Sequence, residues 1–183
     1  MRVLYSTITF LLILLNTNVG YAAEQKVVFP MSSNDKSLTL EFKGEIYDNK
    51  TLLPISDKST HAVAAFLNVV IKANASGDKS AILNLWTEKD KKVMEPAMSK
   101  RAIEHSVSLF KNMKSSSLMG YIEYGDYIIC YVYHDINNGQ GETYLKEYPL
   151  KSTPNGYAMT NELSSDTFFS QISYKLGKHI WPR

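Results

Sequence analysis

The chain has 183 residues, of which 20 are Lys or Arg and 18 are Asp or Glu, so its formal net charge is +2. Hydrophobic residues make up 44% of the sequence and charged residues 21%, proportions typical of a globular domain and not of a fibrous or disordered chain. The even charge argues against a dedicated nucleic-acid binder. The single cysteine, Cys130, excludes an internal disulfide and a zinc site built from several cysteines.

The first 22 residues have the pattern of a secretion signal peptide. One positive charge at Arg2 precedes an apolar run over residues 8–15, which is shorter than the roughly 20 residues needed to cross a membrane. Gly20 and Ala22 then place small residues at the two positions that a signal peptidase recognises, which predicts cleavage after Ala22. We therefore expect a periplasmic or extracellular protein without a stable membrane anchor. A retained N-terminal anchor is the alternative.

Residues 23–59 are predicted to form an N-terminal extension. Residues 26–29 and 38–42 have the composition and alternation of two short strands, and the whole segment is too short to enclose a core of its own. We expect it to pack on the domain that follows.

Helical periodicity begins after this extension. Ser59 or Thr60 is placed to cap a first helix, and Asp78 a second, shorter one. The charged segment 87–92 is interpreted as a solvated break, and residues 97–114 as a third helix. The third helix has apolar residues at the helical period.

After Lys114 the hydrophobic period changes from 3.6 to 2, which predicts strands joined by short turns: 118–124, 127–134, 143–150 and 157–163. A last helix is predicted from Ser165 or Asp166 to Gly177, with an apolar side formed by Phe168, Phe169, Ile172 and Leu176. This order predicts an α+β fold, with helices packed on an antiparallel sheet.

The segment from Phe66 to Trp86 consists of a long helix, a Gly77-Asp78 turn and a second helix that ends in Leu85-Trp86. It resembles the opening of NTF2-like (cystatin-like, SnoaL-like) domains, and the resemblance extends over residues 60–163. It implies a curved antiparallel sheet that forms a cone with the helices around a pocket. The predicted organisation is a signal peptide (1–22), an extension (23–59) and an NTF2-like domain with a C-terminal helix (60–183).

The strand predicted at 127–134 is apolar on both faces, which is typical of a central strand covered on both sides. Helices can cover one face, and a partner subunit, the N-terminal extension or a ligand the other. Eight of the twelve tyrosines lie between residues 121 and 157. They suit plain sheet packing, an interface or a pocket lining. The ligand or partner surface predicted from this pattern, including a possible homodimer through the sheet, comprises Trp86, Tyr121, Tyr127, Tyr131 and Tyr133.

Motifs of the common enzyme classes are absent from the sequence. It has no Gly-x-Ser-x-Gly elbow, phosphate-binding glycine loop or dinucleotide fingerprint. The four histidines are scattered, so we expect neither a metal nor a cofactor. Cys130 and His134 share a strand face but lie about 13 Å apart along it, too far for a catalytic dyad. The weak catalytic candidates are Glu123, an acid in an apolar strand with a solvated position as its alternative, and His105 on the third helix.

The leading hypothesis is an exported, non-enzymatic NTF2-like domain that binds a protein partner or a small apolar ligand through its tyrosine-rich sheet and cone. One alternative is a small isomerase or hydrolase of the same fold that uses Glu123 or His105 as a base. Another is an accessory or inhibitory protein for a second secreted factor.

Overall fold

The computed structural model describes residues 26–33, 36–47, 51–137 and 142–180, and the predicted signal peptide lies outside them. These residues form seven strands and five helices. The α+β class that the change of hydrophobic period predicted is confirmed. The strands are β1 (Lys26–Ser33), β2 (Lys36–Ile46), β3 (Leu53–Pro54), β4 (Met113–Tyr124), β5 (Tyr127–Ile136), β6 (Thr143–Thr153) and β7 (Gly156–Met159). The helices are α1 (Ala62–Ser76), α2 (Lys79–Leu83), α3 (Glu88–Ala97), α4 (Lys100–Lys111) and α5 (Thr167–Ile180).

The sheet is antiparallel, with the strand order β1-β2-β4-β5-β6-β7, and β3 also pairs with β4. Short connections favour antiparallel neighbours. The β4–β5 turn contains Gly125 at a φ of 59°, a left-handed conformation that glycine adopts without strain. Strand β5 lies between β4 and β6, so the prediction of a central strand is confirmed.

Each face of the sheet contributes to a separate hydrophobic cluster. Cys130 and Val132 of β5 pack on the side of α1, whereas Ile129 and Tyr131 point to the other side and share a cluster with Leu176 of α5. Part of the N-terminal segment also contributes to this second cluster, through Leu40 and Phe42 of β2. The second face is therefore covered by the C-terminal helix together with the extension.

Strand β2 joins the sheet by a close approach of two backbones. A Cβ atom on Gly44 would lie 2.1 Å from the carbonyl oxygen of Tyr121, and one on Gly120 would lie 2.6 Å from that of Glu45. No side chain larger than hydrogen fits at that separation. Both glycines thus permit the pairing of residues 44–46 with residues 120–122.

The N-terminal end of α1 differs from the prediction. Its N-cap is His61, which makes no side-chain capping bond, and neither Ser59 nor Thr60 takes that position. The Ser59 hydroxyl donates instead to the Pro54 carbonyl at 2.7 Å and accepts the Ser56 N–H at 2.9 Å. Ser59 therefore stabilises the preceding turn. Asp78 caps α2 as predicted, with its carboxylate accepting the N–H groups of residues 80 and 81.

The prediction that segment 87–92 is a solvated break is wrong. These residues form the start of α3, with Thr87 as its N-cap. Helix α3 has no apolar stripe, since its one fully buried residue is Asp90, so hydrophobic periodicity could not detect it.

Other elements end or begin at residues that differ from the predictions. The third predicted helix corresponds to α4 and is shorter than predicted, and β4 begins soon after it at Met113. Strand β7 ends at Met159 and not at residue 163. Helix α5 continues through Gly177, because a glycine costs a helix only about 1 kcal/mol.

None of the described helices combines the length and the apolar character that crossing a membrane requires.

Candidate functional site

A cleft of about 350 Å³ opens between α1, α3 and α4 on one side and β6 and the end of β7 on the other. Its volume lies at the lower end of the roughly 300–1,000 Å³ typical of small-molecule sites. The apolar side chains that line it are Val70, Ile82, Trp86, Met94, Met98, Phe110 and Met159. Thioether side chains adapt to ligands of irregular shape, so this lining suits an apolar molecule.

Backbone hydrogen bonds fix Trp86 beside Met159. The N–H of Met159 donates to the Leu85 carbonyl at 2.7 Å, and the N–H of Thr87 donates to the Met159 carbonyl at 3.0 Å. This short parallel bridge ties the connection between α2 and α3 to the last strand of the sheet. Two elements that are distant in sequence thereby form one wall of the cleft.

The carboxylate of Asp90 holds α3 against the same wall. Its Oδ2 atom accepts the hydroxyls of Thr87 at 2.7 Å and Thr160 at 2.8 Å, and the N–H of Asn161 at 3.1 Å. Asp90 is 5% exposed, and a buried carboxylate of this kind is stable only when donors surround it. The α3 side of the cleft therefore depends on this residue.

Lys146 places a positive charge at the cleft. Its Nζ atom lies 5.8 Å from the ring centre of Phe110 and 5.1 Å from that of Tyr148, both of which line the cleft. Packing beside these rings lowers the pKa of the Lys146 amine by desolvation, although the residue as a whole is exposed. Within the described part of the chain it makes no ion pair.

The indole nitrogen of Trp86 is a further polar group of the cleft. This Nε1 atom is buried and has no hydrogen-bond partner among the described residues, a state that costs about 1–3 kcal/mol. Other polar groups of the lining are engaged. The Asn74 amide donates to the Val70 carbonyl at 2.8 Å and accepts the Ser106 hydroxyl at 2.9 Å. The Asn161 amide donates to the Met94 sulfur at 3.1 Å, which is a weak acceptor.

A buried histidine lies behind Tyr148. His134 is fully buried, with Nε2 at 3.0 Å from the Tyr148 hydroxyl and Nδ1 at 2.7 Å from the Ser116 hydroxyl. Burial, helped by the charge of Lys146, lowers its pKa to about 4, so its imidazole is neutral near pH 7. No sequence pattern identifies this arrangement, because Ser116, His134 and Tyr148 lie on three different strands. The Cys130 thiol is fully buried, and burial raises its pKa, which makes it unreactive.

The structure places one of the five predicted surface residues, Trp86, in the cleft. Tyr127, Tyr131 and Tyr133 belong to the cluster on the α5 side of the sheet. Tyr131 is 1% exposed, and Tyr127 donates its hydroxyl to Glu162 at 2.6 Å. These three tyrosines thus take part in the packing on the α5 side of the sheet, and their role as a ligand or partner surface stays a prediction.

Tyr121 lies in a polar cluster with His61, Tyr47 and Glu45, on the sheet face that packs against α1. Its ring centre lies 5.8 Å from that of His61, and the Tyr47 hydroxyl donates to Glu45 nearby. Burial and the neighbouring Glu45 raise the pKa of Tyr121 to about 12. Its hydroxyl is therefore protonated near neutral pH and is suited to donate a hydrogen bond, not to act as a base.

The two catalytic candidates lie apart from the cleft. Glu123 on β4 and His105 on α4 are both exposed, and neither lines the cleft. For Glu123 this is the solvated position given as the alternative, and neither side chain can reach a molecule bound in the cleft. No group of three or more His, Cys, Asp or Glu residues in the described ranges is arranged to hold a metal ion.

Comparison with known proteins adds no family to this geometry. No protein-family model, curated protein or solved structure matches the chain. The resemblance to NTF2-like domains therefore stays a prediction from the residues.

Proposed function

We propose that this chain is an exported, non-enzymatic domain that binds a small apolar ligand in the cleft beside Trp86. The observation that carries the proposal is the lining itself, in which an indole, a phenyl ring and three methionines surround a cavity of about 350 Å³. Ligand sites are typically apolar with a few placed polar groups, and Lys146, Asn74 and Asn161 supply such groups here. The proposal of export rests on the signal pattern in residues 1–22.

Binding without catalysis is favoured by the state of the titratable groups around the cleft. The Asp90 carboxylate is occupied by three donors, and His134 is separated from the cleft by Tyr148. A general base has to reach the proton that it removes within hydrogen-bond distance. In the described chain neither group is placed to do so for a molecule bound beside Trp86.

A small ligand is favoured over a protein partner because of the position of α5. The partner hypothesis depended on an open tyrosine-rich sheet face, and that face is packed by α5 and by Leu40 and Phe42. The cleft on the other face is a concave, apolar surface that a small molecule can fill.

The proposal is tested by titrating the protein with a neutral phenylnaphthylamine, whose fluorescence rises on transfer from water to an apolar site. We expect a saturable rise for the wild type. Met98→Trp fills the cleft and should lower the probe affinity about tenfold or more, because lost apolar contacts of 1–3 kcal/mol translate into such factors.

The matched control is Val93→Trp. Val93 is on α3 but 64% exposed and outside the lining, so the added indole should leave probe binding unchanged. Thermal unfolding of both variants verifies that they are folded. A wild type that gives no saturable signal, or a Met98→Trp variant that binds like the wild type, contradicts the proposed function.

A further inference from the structure

We infer that the ligand of this cleft carries an anionic head group, and that Lys146 binds it, which makes the ligand class a small amphipathic monocarboxylate. This inference rests on the proposed function, because it concerns the same cleft. It adds the charge of the ligand and the residue that recognises it.

The first argument is the charge of the lining. Two of the lining residues are charged, Lys146 and Glu147, and they are consecutive on β6. Since side chains alternate along a strand, Glu147 points to the opposite face, where it is paired with Tyr131 in the sheet register. Lys146 lies on the face of Tyr148 and makes no ion pair in the described chain. The cleft thus presents one positive charge without a counterion.

The second argument is how the ammonium is held. It lies above the rings of Phe110 and Tyr148, and such contacts with aromatic faces attract a cation without neutralising it. Packing on two rings also removes part of its hydration. A partly dehydrated ammonium gains more from a bound anion than a fully hydrated one, because the local dielectric is lower.

The third argument is the kind of polar group that the lining presents. Trp86 Nε1 is a buried donor with no partner in the described chain, and the Asn161 amide donates to a sulfur. Both groups are N–H donors, and so is Lys146. A head group made of acceptors complements them. A carboxylate has one charge for the one cation, whereas a phosphate of charge about −1.5 to −2 would call for a further cation.

The test compares decanoate with decanol, which share an alkyl chain and differ in the charge of the head group. Each is used to displace the neutral phenylnaphthylamine from the wild type, from Lys146→Met and from Lys146→Gln. A lost hydrogen bond to a charged group corresponds to a factor of about ten or more. We therefore expect decanoate to bind the wild type about tenfold more tightly than decanol. Both variants should lose that preference while keeping decanol affinity within about twofold.

Lys111→Met is the matched control. It removes an exposed lysine at the end of α4, beside Phe110 but outside the lining, and should retain the preference for decanoate. Raising the ionic strength should weaken decanoate binding more than decanol binding, since the salt screens only the charged pair.

Two results overturn the inference and leave the proposed function standing. One is equal affinity of the wild type for decanoate and decanol, and the other is an equal effect of the Lys146 substitutions on both compounds. Displacement of the probe by neither compound also overturns it, because the ligand class is then wrong. If the probe itself does not bind, the proposed function fails together with the inference.

Discussion

Asp90→Ala is expected to lower the free energy of unfolding by about 3 kcal/mol, because it leaves the buried Thr160 hydroxyl and the Asn161 N–H without their acceptor. Each unpaired buried donor costs roughly 1–3 kcal/mol, and Thr160 is 1% exposed, so its hydroxyl has little access to water. For a chain of this size the loss corresponds to a melting temperature lower by roughly 6–12 °C. Urea unfolding at neutral pH measures the change directly, provided that the slope with denaturant is the same for both proteins.

A double-mutant cycle with Thr160→Val separates the hydrogen bonds from general packing. If the carboxylate and the Thr160 hydroxyl interact as the 2.8 Å distance indicates, Asp90→Ala should cost less in the Thr160→Val background. The coupling energy is expected to be about 1 kcal/mol or more. The control is Asp57→Ala, which removes an exposed carboxylate bonded to Lys72 and Asn68 and should scarcely change the urea midpoint. Additive effects of the Asp90 and Thr160 substitutions would contradict this account of α3.

The hydrogen bonds of Asp90 also explain why helix α3 could not be predicted from the sequence. Strands β5 and β6 are predicted because their side chains alternate or are continuously apolar, which is a local signal. Helix α3 carries no such signal. It is held by Thr87 at its own end and by Asp90 bonds to residues 160 and 161, about seventy positions further along the chain. Contacts between residues so far apart in the sequence form only in the folded chain, so no local sequence pattern indicates them.

Of the residues in the candidate site, some could be predicted from the sequence and others could not. Trp86 could be predicted, because a large aromatic residue at the end of a helical hairpin is conspicuous in the sequence. Lys146 could not, because one lysine in a strand of alternating residues is normally solvated. Its position over Phe110 and Tyr148 depends on how α4 packs on β6. The burial of Tyr131 could not be predicted for a related reason, since a strand pattern does not indicate that Leu176 of a C-terminal helix joins the same cluster.

Helix α5 contributes to the cluster on the tyrosine-rich face of the sheet, so part of that face is a packed core. Tyr131 and Ser173 of α5 are both buried in this layer, and their hydroxyls lie close enough to interact. Burial raises the pKa of Tyr131, so its hydroxyl is protonated at physiological pH. The tyrosines of this face therefore contribute area to a core between the sheet and its last helix.

Stability toward acid is expected to depend on His134. The pKa of this histidine is about 4 in the folded chain and about 6.5 when it is unfolded. Between those values the unfolded state binds more protons, so the free energy of unfolding rises with pH in this window and is lost as pH falls through it. At about 1.4 kcal/mol per pH unit, the loss from this one group between pH 6.5 and 4 is about 3 kcal/mol.

The contribution of His134 is isolated by comparing the wild type with His134→Gln at several pH values. Glutamine is neutral throughout and can still bond to Ser116 or Tyr148, so it should be less stable than the wild type near pH 7. That deficit should shrink by about 3 kcal/mol, and can reverse, as the pH approaches 4.

Tyr148→Phe removes one hydrogen bond of the imidazole and leaves its burial intact, so it should lower stability while keeping the acid slope. His105→Gln, which removes an exposed imidazole from α4, should also keep that slope. A His134→Gln protein whose stability falls between pH 6.5 and 4 as steeply as that of the wild type would show that His134 is not the group responsible.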